Sequence, residues 1–248
     1  EFLFSSQWAP ADNAQGGGKV GAAIFIFGSI ITCALALLIS TPFSIASAIF
    51  MTEISPGIGR KILQPAVEIF VGIPSVVYGW IGLTILVPFI KDLFDLKFGF
   101  SVLSAGIVLA VMIYPTITSL SADAIRSIPK SFRQASYGLG ATRWQTISQV
   151  VIPASKSGLM TAIVLGLARA FGEALAVAMV IGKMKAFPES LLSPTTNLTA
   201  AIASDMGGAM EGSEYNIALW SMALLLFIIS LVFIFIIHYI SAKGGHKA

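Results

Sequence analysis

Ser131–Pro153, SFRQASYGLGATRWQTISQVVIP, is the stretch on which the reading of this chain turns. It is the longest polar interruption between strongly apolar segments that still carries regular helix signals. Ser131 and Gln134 stand at capping-box spacing, where two side chains satisfy the free N–H groups of a helix start, and so do Thr142 and Gln145. Gly138 and Gly140 lie between the pairs, where a left-handed residue can close a helix. Pro153 is expected to stop the second helix, because its ring disfavours a helical Ile152. The stretch reads as two short helices joined by a glycine turn.

The sequence on either side belongs to a membrane protein. The 248 residues are 56% hydrophobic and 11% charged, with a mean hydropathy of +0.88. A soluble domain carries about 25% charge, so there is too little polar surface here to cover a water-exposed globule. The formal net charge of +3 says less than the placement of Lys and Arg. The single cysteine, Cys33, excludes an intramolecular disulfide and gives no metal pattern. Gly16-Gly17-Gly18-Lys19 is not a phosphate-binding loop, since that motif needs Gly and Ser or Thr where Asn13 and Val20 stand. The opening Glu-Phe-Leu-Phe lacks the basic start and cleavage site of a signal peptide, and reads as the inside of a longer natural product.

Five spans are expected, at about 21–50, 66–90, 101–121, 157–182 and 217–241, against the ~20 apolar residues a span needs. Pro42 kinks or ends the first, and Pro115 lies in the third. The second holds Glu68, Gly72, Pro74, Gly79, Gly82 and Pro88. Such irregularity is tolerated only where protein or a cavity surrounds the helix. Residues 1–20 form a flexible extramembrane segment, 51–65 a loop with Glu53, Arg60 and Lys61, and 91–100 a short loop. Residues 183–216 form a long polar loop in which Thr199–Met206, free of breakers, suits a short helix. A tail, 242–248, carries Lys243, His246 and Lys247.

The positive charges set the topology. Alternate sides hold Arg60, Lys61, Arg126, Lys130, Arg133, Arg143, Lys156, Lys243 and Lys247 against Lys19, Lys91, Lys97, Lys183 and Lys185. The richer side is cytoplasmic by the positive-inside rule. Loop 122–156 and the C-terminus are then inside, and 1–20 and 183–216 outside. An odd number of spans beginning outside implies a sixth, N-terminal helix ahead of this sequence.

Two constellations carry the functional reading. A rigid helix pair between two spans suits the docking of a cytoplasmic partner, against the plainer reading of a wet connector. A DNA-binding helix-turn-helix fits poorly, since the second helix offers only Arg143 to phosphates and membrane lies on both sides. The other constellation is Arg169 and Glu173, four apart and so on one face of the fourth span. With a helix starting near Ser157, Arg169 lies about 18 Å along it, close to mid-membrane. An intramembrane charge costs at least ~2.5–3.5 kcal/mol on insertion scales and usually faces a pathway or a partner. Arg binds phosphate oxygens in a fork, and Glu173 can orient and partly neutralise it. A structural ion pair locking helices together is the alternative. Among the rest, Glu68 sits near an interface, and Thr41, Ser75, Thr116 and Thr118 line a path or satisfy backbone. His238 reads as interfacial, and Asn197-Leu198-Thr199 as a chance glycosylation sequon.

Gln134-Ala135-Ser136, then Gly140, Val150, Ile152 and Pro153 resemble the EAA loop of ABC importer permeases: Glu-Ala-Ala, three residues, Gly, nine residues, Ile, one residue, Leu-Pro. The spacing matches throughout, and of the substituted positions only Gln134 loses a charge. GATRWQTISQVVIPASKSGLMTAIVLGLARAFGEALAVAMVIG, residues 140–182, and the opening FLFSSQWAP resemble the PstC family of permease subunits of phosphate-specific (Pst) importers.

The resemblance implies an all-α membrane protein with the type I ABC importer permease (MetI-like) fold. It implies a non-catalytic subunit without a cofactor, in a prokaryotic plasma membrane. It would work with a second, PstA-like permease, a PstB-like ATPase dimer docked on the EAA loop and consuming ATP, and a PstS-like extracytoplasmic phosphate-binding protein. In that family charged residues on the helix of Arg169 and Glu173 are tied to phosphate passage. An importer of molybdate, sulfate or phosphonate remains the near rival. A gradient-driven secondary transporter is the distant one, and no internal repeat supports it.

Overall fold

The computed structural model describes residues 2–11 and 17–245, with side chains as far as 239. Asp12, Asn13, Gly16, His246 and Lys247 lie outside the described residues, as does the side chain of Lys243. Two short strands, β1 (Trp8–Ala9) and β2 (Lys19–Val20), pair antiparallel ahead of a helical chain. The helices are α1 (Ala23–Ile49), α2 (Pro56–Ile58), α3 (Gln64–Gly72), α4 (Ser75–Ile81), α5 (Val87–Leu93), α6 (Val102–Arg126), α7 (Lys130–Gly138), α8 (Arg143–Thr146), α9 (Ile152–Gly172), α10 (Leu175–Val180), α11 (Leu198–Asp205) and α12 (Glu214–Gly245). Wider π-helical turns fill Phe50–Ile54, Gly59–Leu63, Gly82–Leu86 and Ile147–Val151.

Among the described residues five segments are long and apolar enough to cross a membrane: Ala23–Ile54, Ser75–Leu93, Val102–Arg126, Arg143–Gly172 and Glu214–Tyr239. In a bilayer every backbone polar group must be paired within the protein, and a helix does this without a partner strand. That pressure corrects three expectations. Pro42 does not end the first span; α1 runs through it and continues to Ile54. Residues 51–65 are not an open loop, because π turns and α2 keep the chain helical into α3. Pro153 does not end the second knuckle helix. The π turn Ile147–Val151 pairs the Ile152 N–H with the Ile147 carbonyl, five residues back, and the helix passes through the proline to Gly172. A wide turn absorbs the bond that proline cannot make.

The chain divides into two compact units, one of residues 1–36, 74–110 and 168–232, the other of 37–73, 111–167 and 233–248. In the first, α4 lies against α10 so closely that a Cβ on Gly79 would stand 2.8 Å from Ala176 Cα and from Met179 Sδ. Small residues let membrane helices approach to this distance. The strands are held by Glu214, whose carboxylate accepts the N–H groups of Ala11 (2.8 Å) and Gly18 (2.9 Å), and by Trp8 packed edge-on against Phe25. In the second unit, Ala48, Ala122, Ile125, Val151 and Leu159 form a buried apolar cluster. Ser47 Oγ and the Tyr114 hydroxyl lie 2.7 Å apart, which joins α1 to α6.

Candidate functional site

The Ser131–Pro153 element belongs to the second unit. Only one of its two expected capping boxes forms. Thr142 accepts the Gln145 N–H at 3.3 Å while Gln145 Oε1 accepts the Thr142 N–H at 2.8 Å. Ser131 caps nothing, because Pro129, fixed at φ −55° and ψ 141°, already turns the chain into the helix and leaves Ser131 within its first turn. At the other end of α7 the left-handed residue is Gly140, at φ +80°, while Gly138 is the last helical residue. The Gly140 N–H reaches the Tyr137 carbonyl at 2.9 Å and the Ala141 N–H reaches that of Ser136 at 3.2 Å. This is a Schellman closure, which needs a residue free of the Cβ clash at that one position.

The two helices face each other through Ser136, whose hydroxyl lies 2.9 Å from that of Thr146, both buried. The residues matched to the EAA pattern therefore divide. Gln134, Ala135, Gly140 and Pro153 are exposed, Val150 and Ile152 half-buried, and Ser136 faces inward. Around them stand exposed apolar side chains: Phe132, Tyr137, Trp144 and above all Leu139, 90% exposed. A groove of about 650 Å³ runs between α7 and the Ile147–Val151 turn, lined by Phe132, Ala135, Leu139, Gln149 and Val150.

Sequence reasoning missed what fastens this element. The Arg133 guanidinium grips Glu53, with Nε 3.1 and 3.2 Å from its two carboxylate oxygens, and donates to the carbonyls of Ile128 (2.8 Å) and Ile125 (3.0 Å). Arg143 donates to the carbonyls of Glu53 and Ile54, the latter at 2.8 Å. Glu53 lies 80 residues from Arg133, and no local pattern encodes such a pairing. In the sequence Arg133 registers only as a positive-inside charge, and Arg143 as that and as the lone phosphate contact of a poorly fitting helix-turn-helix.

Arg169 and Glu173 lie in the first unit. The expectation that they share a face of one continuous helix is corrected: α9 ends at Gly172, with Arg169 in its last turn and Glu173 just beyond. The break has an identifiable cause. The Glu173 carbonyl accepts the Thr199 hydroxyl at 2.7 Å, and Glu173 Oε1 accepts the Ala176 N–H at 3.1 Å, so the side chain caps α10. Thr199 is positioned by Asn197, which caps α11 through the Ala200 N–H at 2.8 Å. Asn197 is 3% exposed, as suits a chance match of Asn197-Leu198-Thr199 to a glycosylation sequon. The helix expected near Thr199–Met206 is α11. Arg169 is half-buried. The arrangement puts a permanent cation at a helix break, where it can hold an anion by a two-pronged fork.

The other sequence candidates fall elsewhere. Thr118 is fully buried, Thr41, Ser75 and Thr116 are half-buried, and Glu68 is exposed and accepts from Gln64 Nε2 at 2.8 Å. A ring nitrogen of His238 lies 3.0 Å from the Ile234 carbonyl. Outside the spans, the Lys185 ammonium contacts Asp205 (2.7 Å) and Tyr215 (3.1 Å).

Residues 40–244 match the family described as binding-protein-dependent transport system inner membrane component. The chain is 55% identical to the probable ABC transporter permease protein YqgH of Bacillus subtilis, over 98% of this chain and 78% of that one. It is 36% identical to the phosphate transport system permease protein PstC of Haemophilus influenzae, over 92% of this chain and 76% of that one. In fold it resembles an inward-facing MetNI methionine ABC transporter, with a TM-score of 0.66 at 20% identity, over 89% of this chain and 96% of that one.

Proposed function

Because the chain belongs to the family of binding-protein-dependent transport system inner membrane components, a set of multi-helix membrane permeases with the type I ABC importer fold, we propose that it is the permease subunit through which such an importer passes inorganic phosphate. The observation that carries the substrate is the likeness to PstC of Haemophilus influenzae across most of both chains.

The chemistry of the first unit supports it. Arginine carries a planar guanidinium fork that fits phosphate oxygens, and Arg169 sets one in the last turn of α9. Glu173 fixes the break beside it by capping α10. The second unit supplies the energy input. Its first helix is closed by the Gly140 turn, its second is capped by Thr142 and Gln145, the two are bonded through Ser136 and Thr146, and Phe132, Tyr137, Leu139 and Trp144 are exposed on them. That surface suits a separate ATPase dimer, which would supply the ATP hydrolysis. Gln134, Ala135, Gly140, Val150, Ile152 and Pro153 would line or shape the socket, and Ser136 would hold it together from within. The distribution of Lys and Arg supports a cytoplasmic side for this socket and the C-terminus. A second permease would complete the path, and an extracytoplasmic phosphate-binding protein would deliver the ion.

The reading is tested in phosphate-starved cells lacking their own importer, supplied with this chain and its partners. Uptake of labelled phosphate should return and resist a large excess of sulfate or molybdate. Uptake that sulfate or molybdate abolishes would assign the chain to another oxyanion.

A further inference from the structure

The geometry points to Glu53 as the positioning residue that passes the movement of the docking element into the membrane helices. The inference rests on reading Ser131–Pro153 as the ATPase socket. Glu53 closes the segment Ala23–Ile54, and its carboxylate takes the fork of Arg133 from the middle of α7. The same guanidinium donates to Ile125 and Ile128, at and just past the end of Val102–Arg126. Arg143, the first residue of Arg143–Gly172, donates to the carbonyls of Glu53 and Ile54. The ends of three candidate membrane segments and the middle of the docking helix thus meet at one knot, whose residues all lie within the second unit.

The knot suits the transfer of load. Glu53 is 9% and Arg133 18% exposed at the side chain, so water competes little with the pair and salt screens it weakly. Two parallel charge-assisted bonds fix direction as well as distance. Around the knot are softer joints: the π turn Phe50–Ile54 on the Glu53 side and the exposed Asp123–Arg126 pair at 3.3 Å. A helix pair pushed by a partner would otherwise slide over the ends of the spans. The fork makes the Phe50–Ile54 turn move with α7.

The test uses the complete transporter, two permeases with the ATPase dimer, and follows amide exchange with and without a non-hydrolysable ATP analogue. In the wild type the analogue changes exchange both at Lys130–Gly138 and at Phe50–Ile54. Glu53→Gln keeps the shape and removes the charge. Arg133→Lys keeps the charge and removes the fork, and it decides the matter if Glu53→Gln fails to assemble. Both should retain the change at Lys130–Gly138 and shrink that at Phe50–Ile54 by about fivefold, the low end of site-to-site coupling. Phosphate imported per ATP hydrolysed should fall in parallel, while Asp123→Asn behaves as wild type. A change at Phe50–Ile54 of wild-type size in both variants overturns the role of Glu53 and leaves the socket standing. No change at Lys130–Gly138 in the wild type removes the socket, and the role of Glu53 with it.

Discussion

Replacing Gly140 by valine isolates the backbone requirement of the docking element from its packing. Gly140 stands at φ +80°, and no heavy atom lies within 4 Å of where a Cβ would be. The added side chain meets nothing, so the whole penalty is conformational. An L-residue in the left-handed region costs about 1–2 kcal/mol, more when branched at Cβ. The variant can relax only by opening the turn, which breaks the bonds from Gly140 to Tyr137 and from Ala141 to Ser136 and releases α7 from α8. To dock it must close the turn again and meet the same cost, so affinity for the ATPase should fall about 5- to 30-fold. Titration of purified ATPase onto the reconstituted permease pair measures this. Gly140→Asn should bind close to wild type, because Asn tolerates the left-handed region. Equal affinity for wild type, Asn and Val would show that docking does not need the turn in its left-handed form.

Other outcomes are expected on the same grounds. Arg169→Ala should leave assembly intact and lower phosphate uptake about ten- to a hundredfold, the worth of a charge-assisted bond of about 1.5–3 kcal/mol; failed assembly would make Arg169 a structural residue. Gly79→Ala should cost about 1–3 kcal/mol of stability by forcing α4 off α10, seen as a lower thermal midpoint, whereas Gly172→Ala, with open space at its Cβ, should not. Burial alone would lower the Lys185 pKa, but hydrogen bonds to Asp205 and Tyr215 raise it above its ordinary 10.5. A raised cationic pKa stabilises the fold fully below the unfolded value and ceases to do so as pH climbs through the folded one. Amide protection at 183–197, corrected for the base-catalysed rise in intrinsic exchange, should therefore fall at pH above 10.5, and Lys185→Met should flatten that fall.

Periodicity and charge made the helical membrane fold legible, and the capping and glycine signals of Ser131–Pro153 made its helix pair legible. Thr142 and Gln145 were readable because a capping box is local. Ser131 misled because the same spacing is satisfied in sequence while Pro129 starts the helix earlier. Pro153 misled because the remedy, a π turn five residues long, leaves no mark in composition. The break at Glu173 was hidden for a different reason. Its carbonyl is taken by Thr199, 26 residues away, and a window of one helix cannot see a competitor that arrives from another. The Glu53–Arg133 fork is hidden in the same way. What sequence reads well is therefore what adjacent residues settle among themselves. The helix break and the knot are both settled by tertiary contacts.

On the proposed function, phosphate moves through this chain at the expense of ATP hydrolysed by a partner docked on Ser131–Pro153. The most direct measurement is uptake of labelled phosphate by proteoliposomes holding both permeases and the ATPase, with binding protein at the outer face and no ion gradient. Uptake should require ATP on the ATPase side and stop when the ATPase is omitted. Uptake that proceeds without the ATPase, or that follows an imposed proton or sodium gradient, would contradict the account.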